Sequence, residues 1–390
     1  MASKVATLVF IDHLLGGIGT QAYDFARLAH QQGIPSKIIG FTSAKKIRVH
    51  PLNKFTASFG PTKNGKELEL KDCLLSTHPT CVAHSMEYLS QFDVRIWIGV
   101  APHLKEEQSG EQSFYSNILT ALPGKDIAFA TDRYVDDLYP WIKKYLSKFH
   151  KVLSFADAYA ATLDPYVPVE VVPIAPLDTW PYVGKNTPPS QRKKKIFWPH
   201  QWRGWKNIEM FLEMAPSLVA EGERIKMFAS GAGFEYAGFA RTPEYKKYVS
   251  SDVHNPTQRN PQGCLELLGF RPSAEVLASY QEHQCVPDLT GVSKKKQVPN
   301  SYVGNYQCAT LEAMCMGTVV LKMDSTVAPH SVIPKEAVGL LDIAKGDFAG
   351  QIRKWLERNT ELDKVSNRAT EWLQEKCDPY KLFQQYFLEN

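Results

Sequence analysis

Between positions 305 and 321 the chain reads NYQCATLEAMCMGTVVL, and Glu312 is its only charge. A carboxylate in an otherwise apolar helix needs a partner or a ligand. On this stretch alone, a cap or a salt bridge explains it best. Arg203 and Lys206 stand three apart in PHQWRGWK, 199–206, at a predicted strand-to-helix turn. The fork of an arginine beside the point charge of a lysine can hold a diphosphate, although a solvated turn accounts for the pair equally well by itself. Taken together with Glu312 on the next ligand-facing helix, the phosphate reading is the stronger. Gly17 and Gly19 lie in a glycine-rich turn, DHLLGGIG, 12–19, after a predicted first strand. Asp132 and Arg133 follow the apolar run DIAFAT, and His103 follows FDVRIWIGV. These three are candidates for a ligand-facing edge, with a plain surface loop the simpler reading for His103.

The elements that must position these residues alternate. A strand over 5–11, the glycine turn and a helix over 20–31 lead to a second strand over 36–41. The helix carries Ala22, Phe25, Ala26 and Ala29 on one face. Gly17-Ile18-Gly19-Thr20-Gln21-Ala22 fits the pattern G-x-G-x-x-A of dinucleotide sites. A lone match is weak, and the second strand runs into TSAK without the acid that binds an NAD ribose. The glycines are therefore read as letting backbone approach a phosphate or an acceptor. Residues 44–90 read as polar loops and short strands with scattered lysines. Strands over 92–100 and 126–131 share the direction of the first, so the loops holding His103, Asp132 and Arg133 fall at the glycine edge. A helix over 135–149 and strands over 151–155 and 169–174 complete the first half. Seven prolines lie between 164 and 189, and Arg192-Lys193-Lys194-Lys195 follows. That composition predicts a linker, and a charge run of this kind reads as a solvated link.

The second half repeats the alternation. Strands are predicted at 196–198, 225–229, 264–268, 285–289 and 318–323. A helix starts at Asn207 with Ile208, Phe211, Leu212 and Ala215 inward. Others cover 274–282, 306–316 (stopped by Gly317), 347–358 and 361–375, the last packing through Val365, Ala369, Trp372 and Leu373. A helical, aromatic-rich tail covers 378–390. The expected fold class is α/β, with two Rossmann-like parallel-sheet domains facing across a cleft. The expected boundaries are 1–175, a proline-rich linker 176–195, 196–376, and a tail 377–390 that returns to the first domain.

Composition bounds the partners. The chain has 390 residues, 44% hydrophobic and 22% charged, as in a globular protein of two domains. No run of about eighteen apolar residues predicts a membrane helix. The opening MASKVATLVFIDH goes straight into a strand, and a cytoplasmic location is expected. Seven cysteines without C-x-x-C spacing argue against a disulfide framework or structural zinc. A net charge of +4 permits a polyanionic partner without requiring one.

The segment ATLEAMCMGTVVL, 309–321, resembles the donor-binding segment of retaining glycosyltransferases with two Rossmann-like domains (the GT-B type). The resemblance extends to the glycine loop, the VVPI strand before the linker and the Arg203–Lys206 pair. The chain is closer still to the T-even phage α-glucosyltransferases that modify hydroxymethylcytosine in DNA. That similarity rests on LGGIG at 15–19, FATD at 129–132, WK at 205–206, GFE at 233–235, and TLE at 310–312 through GT at 317–318. It implies a UDP-sugar donor, UDP-glucose or UDP-arabinose, with Glu312 on the ribose and Arg203 and Lys206 on the diphosphate. Gly17 and Gly19 would lie against the phosphates or sugar, and Asp132 would orient the acceptor hydroxyl. The acceptor would be a hydroxylated cytosine in duplex DNA, and the protein a phage product in its host's cytoplasm. The basic stretches 192–195 and 294–296, with Trp202 and Tyr302, would be available to grip DNA. No D-x-D pair occurs, so a metal is not expected to hold the diphosphate. Two departures stand out: Gly304 replaces the family's second glutamate, and Thr131 replaces a histidine beside the aspartate. Other readings are a glycosyltransferase acting on glycan or lipid, and an inactive DNA-binding protein of the same fold.

Overall fold

The structure is a computed structural model. It describes residues 4–10, 17–42, 49–51, 73–76, 81–99, 121–131, 146–165, 167–200, 206–219, 224–228, 238–257, 260–269, 271, 273–290, 308–324 and 332–389. The chain separates into two compact units, Met1–Leu177 with Cys377–Asn390, and Asp178–Lys376.

The first unit is built on strands β1 (Val5–Phe10), β2 (Ser36–Thr42), β3 (Val49–Pro51), β4 (Cys73–Ser76), β5 (Val94–Ile98), β6 (Lys125–Ala130), β7 (Lys151–Ser154) and β8 (Glu170–Val171). They form one sheet in the order β3-β4-β2-β1-β5-β6-β7-β8. All neighbours are parallel except β3, which runs against β4. The apolar runs are central because a parallel sheet is covered on both faces, and β5 is buried along its whole length. Helix α1 (Gly17–Gln31) buries Ala22, Phe25, Ala26 and Ala29 against it. Helix α2 (Val82–Leu89) lies in a stretch read as loops and short strands from the sequence, and α3 (Asp157–Leu163) in one given no element. Arg95 and Asp126 sit opposite each other in β5 and β6, fully buried, with Nε–Oδ1 at 2.7 Å and Nη2–Oδ2 at 2.8 Å. Trp97 Nε1 donates to the same Oδ1 at 2.8 Å, so the buried charges are paired and hydrogen-bonded.

The chain's end belongs to this unit. A short helix, Pro379–Phe383, continues as a π-helical turn, Gln384–Leu388. Phe383 and Phe387 are fully buried, and their rings meet Phe25 at 5.8 and 4.7 Å.

The second unit holds β9 (Lys194–Trp198), β10 (Ile225–Phe228), β11 (Val249–Asp252), β12 (Leu265–Gly269), β13 (His283–Asp288), β14 (Val319–Asp324) and β15 (Gly339–Asp342). They form a parallel sheet in the order β11-β12-β10-β9-β13-β14-β15. Around it lie α4 (Ile208–Leu218), α5 (Pro243–Tyr248), α6 (Ser273–Glu282), α7 (Cys308–Cys315), α8 (Phe348–Leu356) and α9 (Asn359–Lys376). Helix α4 buries Ile208, Phe211, Leu212 and Ala215, and α9 buries Val365, Ala369, Trp372 and Leu373. Gly317 ends α7 with φ +66, a conformation that needs glycine. A Cβ there would also meet Asn186 Cβ at 2.8 Å and Arg192 Nη2 at 2.9 Å.

One expectation is corrected here. The run 192–195 is not a solvated link. Arg192 is buried, and Lys194 and Lys195 open β9. The guanidinium donates to Thr187 O (3.0 and 2.8 Å), Tyr280 O (2.9 Å), His283 O (2.8 Å), Met316 O (2.9 Å) and Thr318 Oγ1 (2.8 Å). Its neighbours in sequence are charged, but five planar donors fit a cage of carbonyls that no lysine could fill. The proline-rich stretch before it folds against α9, where Ser190 N and Oγ donate to Asp363 at 3.0 and 2.6 Å.

Candidate functional site

The strands β9, β13 and β14 are neighbours, and their carboxyl ends share one edge of the second sheet. Open α/β sheets bind ligands at such an edge. Strand β13 ends at Asp288, which is fully buried. Thr290 N donates to its Oδ1 at 3.2 Å, and Thr310 Oγ1, in the first turn of α7, to its Oδ2 at 3.3 Å. Lys322, opposite it in β14, brings Nζ to 3.8 Å from the same oxygen. Burial alone would raise this carboxyl. Lys322, the buried His200 after β9, and the Thr290 hydrogen bonds outweigh burial and hold it below the usual carboxylate range.

Lys206 is half-buried and stands one residue before Asn207, whose φ of 57 turns the chain into α4. Asn207 Nδ2 donates to Leu289 O at 2.6 Å, so the turn carrying Lys206 is tied to the end of β13. Arg203 lies outside the described residues.

Glu312 sits in α7 among buried Thr310, Leu311, Ala313, Met314 and Cys315, and is itself half-buried. Neither a cap nor, among the described residues, a salt bridge satisfies it. Its partner is the phenol of Tyr280 on α6, whose Oη lies 3.1 Å from Oε2. Burial pushes the Glu312 carboxyl up to about 7, the Tyr280 hydrogen bond opposes this, and the nearby Asp178 adds to it. Burial and Glu312 in turn push the Tyr280 phenol well above its ordinary value. A carboxyl pushed towards neutrality by burial, on the helix whose first turn bonds Asp288 at the sheet's carboxyl edge, is a candidate functional group.

In the first unit, helix α1 begins at Gly17, three residues earlier than the sequence reading. Gly17 and Gly19 thus lie in its first turn rather than in a loop, and Gly19 is buried. Amide hydrogens in a first helical turn lack helical partners and are suited to an anion. Thr131, just past β6, is buried, while Asp132, Arg133 and His103 lie outside the described residues, as do Trp202, Lys294–Lys296, Tyr302 and Gly304. Lys193 and Lys195 of the charge run are at the opposite edge of the second sheet from Glu312. There they border a cavity of about 280 Å³ with Arg224, Lys226, Glu266 and His283. Among the described residues, no group of three or more His, Cys, Asp or Glu side chains could hold a metal, and no helix is long and apolar enough to cross a membrane.

Sequence reasoning missed Tyr280, Asp288 and Lys322, and gave Thr310 no role beyond its place in the TLE match. Asp288 and Lys322 each interrupt an apolar strand at its carboxyl end, and that was the available signal. Tyr280 gave none, because its role depends on the packing of α6 beneath α7.

No protein-family model matches the chain. No curated protein matches it. Solved structures do. An alpha-glucosyltransferase in complex with UDP and a 13-mer DNA containing an HMU base aligns at 12% identity over 99% of this chain and 98% of its own, with a TM-score of 0.63. The alpha-glucosyltransferase in complex with UDP-glucose and DNA containing an abasic site aligns at 12% identity over 99% and 98%, with a TM-score of 0.65. HepE from Anabaena in complex with UDP and glucose aligns at 11% identity over 98% of both chains, with a TM-score of 0.65. The chain has the fold of these glycosyltransferases, two parallel-sheet α/β units of the GT-B type.

Proposed function

We propose that the protein is a retaining UDP-sugar glycosyltransferase whose acceptor is a hydroxylated cytosine in DNA. The observation that carries the donor half is Glu312: a half-buried carboxyl without an ion pair among the described residues, on the helix that follows β13. Vicinal ribose hydroxyls are the donors such a group lacks. The shared fold supports this reading, since the structures it resembles hold UDP or UDP-glucose.

In this mechanism Glu312 takes the ribose of the donor. Lys206, with Arg203, neutralises the diphosphate as it leaves, which is electrostatic stabilisation by groups already in place. Gly17 and Gly19 lie against the phosphates or the sugar. Asp132 orients the acceptor hydroxyl. The hydroxyl oxygen bonds to the sugar's anomeric carbon while that carbon's bond to the diphosphate oxygen breaks, and the hydroxyl proton passes to the departing phosphate. Attack from the leaving group's own face retains configuration without an enzyme nucleophile. A target base must leave the duplex stack to react, at a cost of a few kcal/mol. The donor sugar is glucose or arabinose.

A transfer assay tests this. Duplex DNA with plain or hydroxymethylated cytosine is incubated with the protein and UDP-sugars, then digested and weighed. A hexose or pentose gained only on hydroxymethylated DNA is the expected result. Equal absence on both DNAs, with the UDP-sugar still hydrolysed, moves the acceptor to a glycan or lipid. Neither gain nor hydrolysis means an inactive protein of this fold.

A further inference from the structure

We propose that Tyr280 is a positioning residue for nucleotide recognition: its buried phenol grips one oxygen of Glu312 and leaves the carboxylate's remaining acceptor capacity facing the ribose diol of the donor. The proposal rests on the reading of Glu312 as the ribose ligand.

Tyr280 is fully buried and fixed at both ends. Its Oη lies 3.1 Å from Glu312 Oε2 and 3.3 Å from Ala309 O, which is on the same helix. Its own carbonyl accepts from Thr318 Oγ1 at 2.6 Å and from Arg192 Nη1 at 2.9 Å. Arg192 also binds Met316 O, just past the end of α7, at 2.9 Å. One guanidinium therefore holds both the residue that donates to Glu312 and the end of the helix that carries Glu312. The backbones that carry the phenol and the carboxyl are thus held by one shared anchor. The Phe197 ring packs edge-on against Tyr280 at 5.1 Å and closes the ring's other side.

The balance of groups around Glu312 makes the phenol matter. Tyr280 faces it from α6, Asp178 from the start of the second unit, and Cys315 from its own helix; Cys308 faces the phenol. Burial and Asp178 both favour the neutral acid, and the Tyr280 hydrogen bond favours the carboxylate. An ionised carboxylate accepts from a diol at both oxygens, whereas a protonated one has a donor where the diol needs an acceptor. Without the phenol, Glu312 keeps its proton to higher pH, and ribose recognition fails sooner on acidification.

The test compares UDP with 2′,3′-dideoxy-UDP, which lacks the diol, by calorimetry on the full chain. The two ligands share the titration of their diphosphates, so the ratio of their affinities isolates the ribose. In the wild type this ratio falls as pH drops through neutrality. In Tyr280→Phe its midpoint moves up by about one pH unit, the size expected for one lost charge-assisted hydrogen bond. UDP affinity at pH 7 drops several-fold, and dideoxy-UDP affinity is unchanged. A 3-fluorotyrosine placed at 280, a stronger donor of nearly the same shape, moves the midpoint the other way and keeps the test alive if the phenylalanine variant does not fold. A ratio profile unmoved by either change overturns the role of Tyr280 while leaving Glu312 on the ribose. Equal affinity of the wild type for both nucleotides overturns the ribose reading and this inference with it.

Discussion

Glu312→Gln should make the protein more stable at alkaline pH while weakening its hold on UDP. Burial raises the folded carboxyl from 4.5 to about 7. The sign follows from linkage. Below pH 4.5 both folded and unfolded chains carry the proton, and the charge costs nothing. Between 4.5 and 7 the folded chain keeps a proton that the unfolded chain has released, so stability falls as pH climbs. Above 7 the penalty is complete. At about 1.4 kcal/mol per unit, the shift amounts to about 3 kcal/mol. Glutamine is neutral throughout and can still accept from Tyr280. Urea denaturation of both proteins should therefore show the variant ahead by about 3 kcal/mol at pH 8, with the gap closing to near zero by pH 4.5. Calorimetry should show UDP binding weakened about tenfold or more, as for one lost charged hydrogen-bond partner. A gap independent of pH, or a variant less stable at pH 8, refutes the claim that burial of this charge is a cost tolerated for a ligand.

Other outcomes are expected from the two scaffolds. Arg192→Ala removes the guanidinium from four carbonyls, those of Tyr280, His283 and Met316 in buried hydrogen bonds, and should cost about 3–5 kcal/mol in urea denaturation. Arg192→Lys keeps the charge but has too few donors in the wrong geometry, and should recover less than half of that loss. Phe387→Ala empties the ring cluster with Phe25 and Phe129 and should lower stability by about 3–5 kcal/mol, read as a fall in the thermal midpoint.

Much of the two sheets can be read in the sequence because parallel strands are continuous apolar runs. VATLVF became β1, and the run after Gly317 became β14. The elements missed are those whose pattern is weak by nature. Strand β11, VSSD, lies at a sheet edge, where polar residues are tolerated, and Ser250 Oγ bonds to Leu265 O in the neighbouring strand. Helix α5, PEYKKY, is too short for periodicity, and its start is fixed locally by Thr242, which accepts from Tyr245 N at 3.3 Å. Arg192 was hidden by its company. A run of four cations looks solvated, and the carbonyls that Arg192 binds come from three other stretches of the chain, around 187, 280–283 and 316. Glu312 could be flagged as a charge in need of a partner. The identity of that partner depended on how α6 packs, which spacing along the chain does not encode.

The two carboxyls at this edge show why the environment separates a structural charge from a candidate ligand. Asp288 and Glu312 are close in chemistry, and burial penalises both. Lys322, His200 and the Thr290 hydrogen bonds hold Asp288 below the usual carboxylate range against burial, and Thr310 donates to it as well. Glu312 has one phenol and a second carboxylate nearby, and burial pushes it up to about 7. Asp288 is thus satisfied within the fold, tying β13, β14 and α7 together. Glu312 on the same helix as Thr310 is under-satisfied, and an under-satisfied carboxyl on a rigid element is what a ligand with hydroxyl donors can complete. Opposite pH responses follow. Asp288→Asn should destabilise at neutral pH, where Glu312→Gln stabilises, and a pair of denaturation curves at pH 8 with the same sign for both would break this distinction.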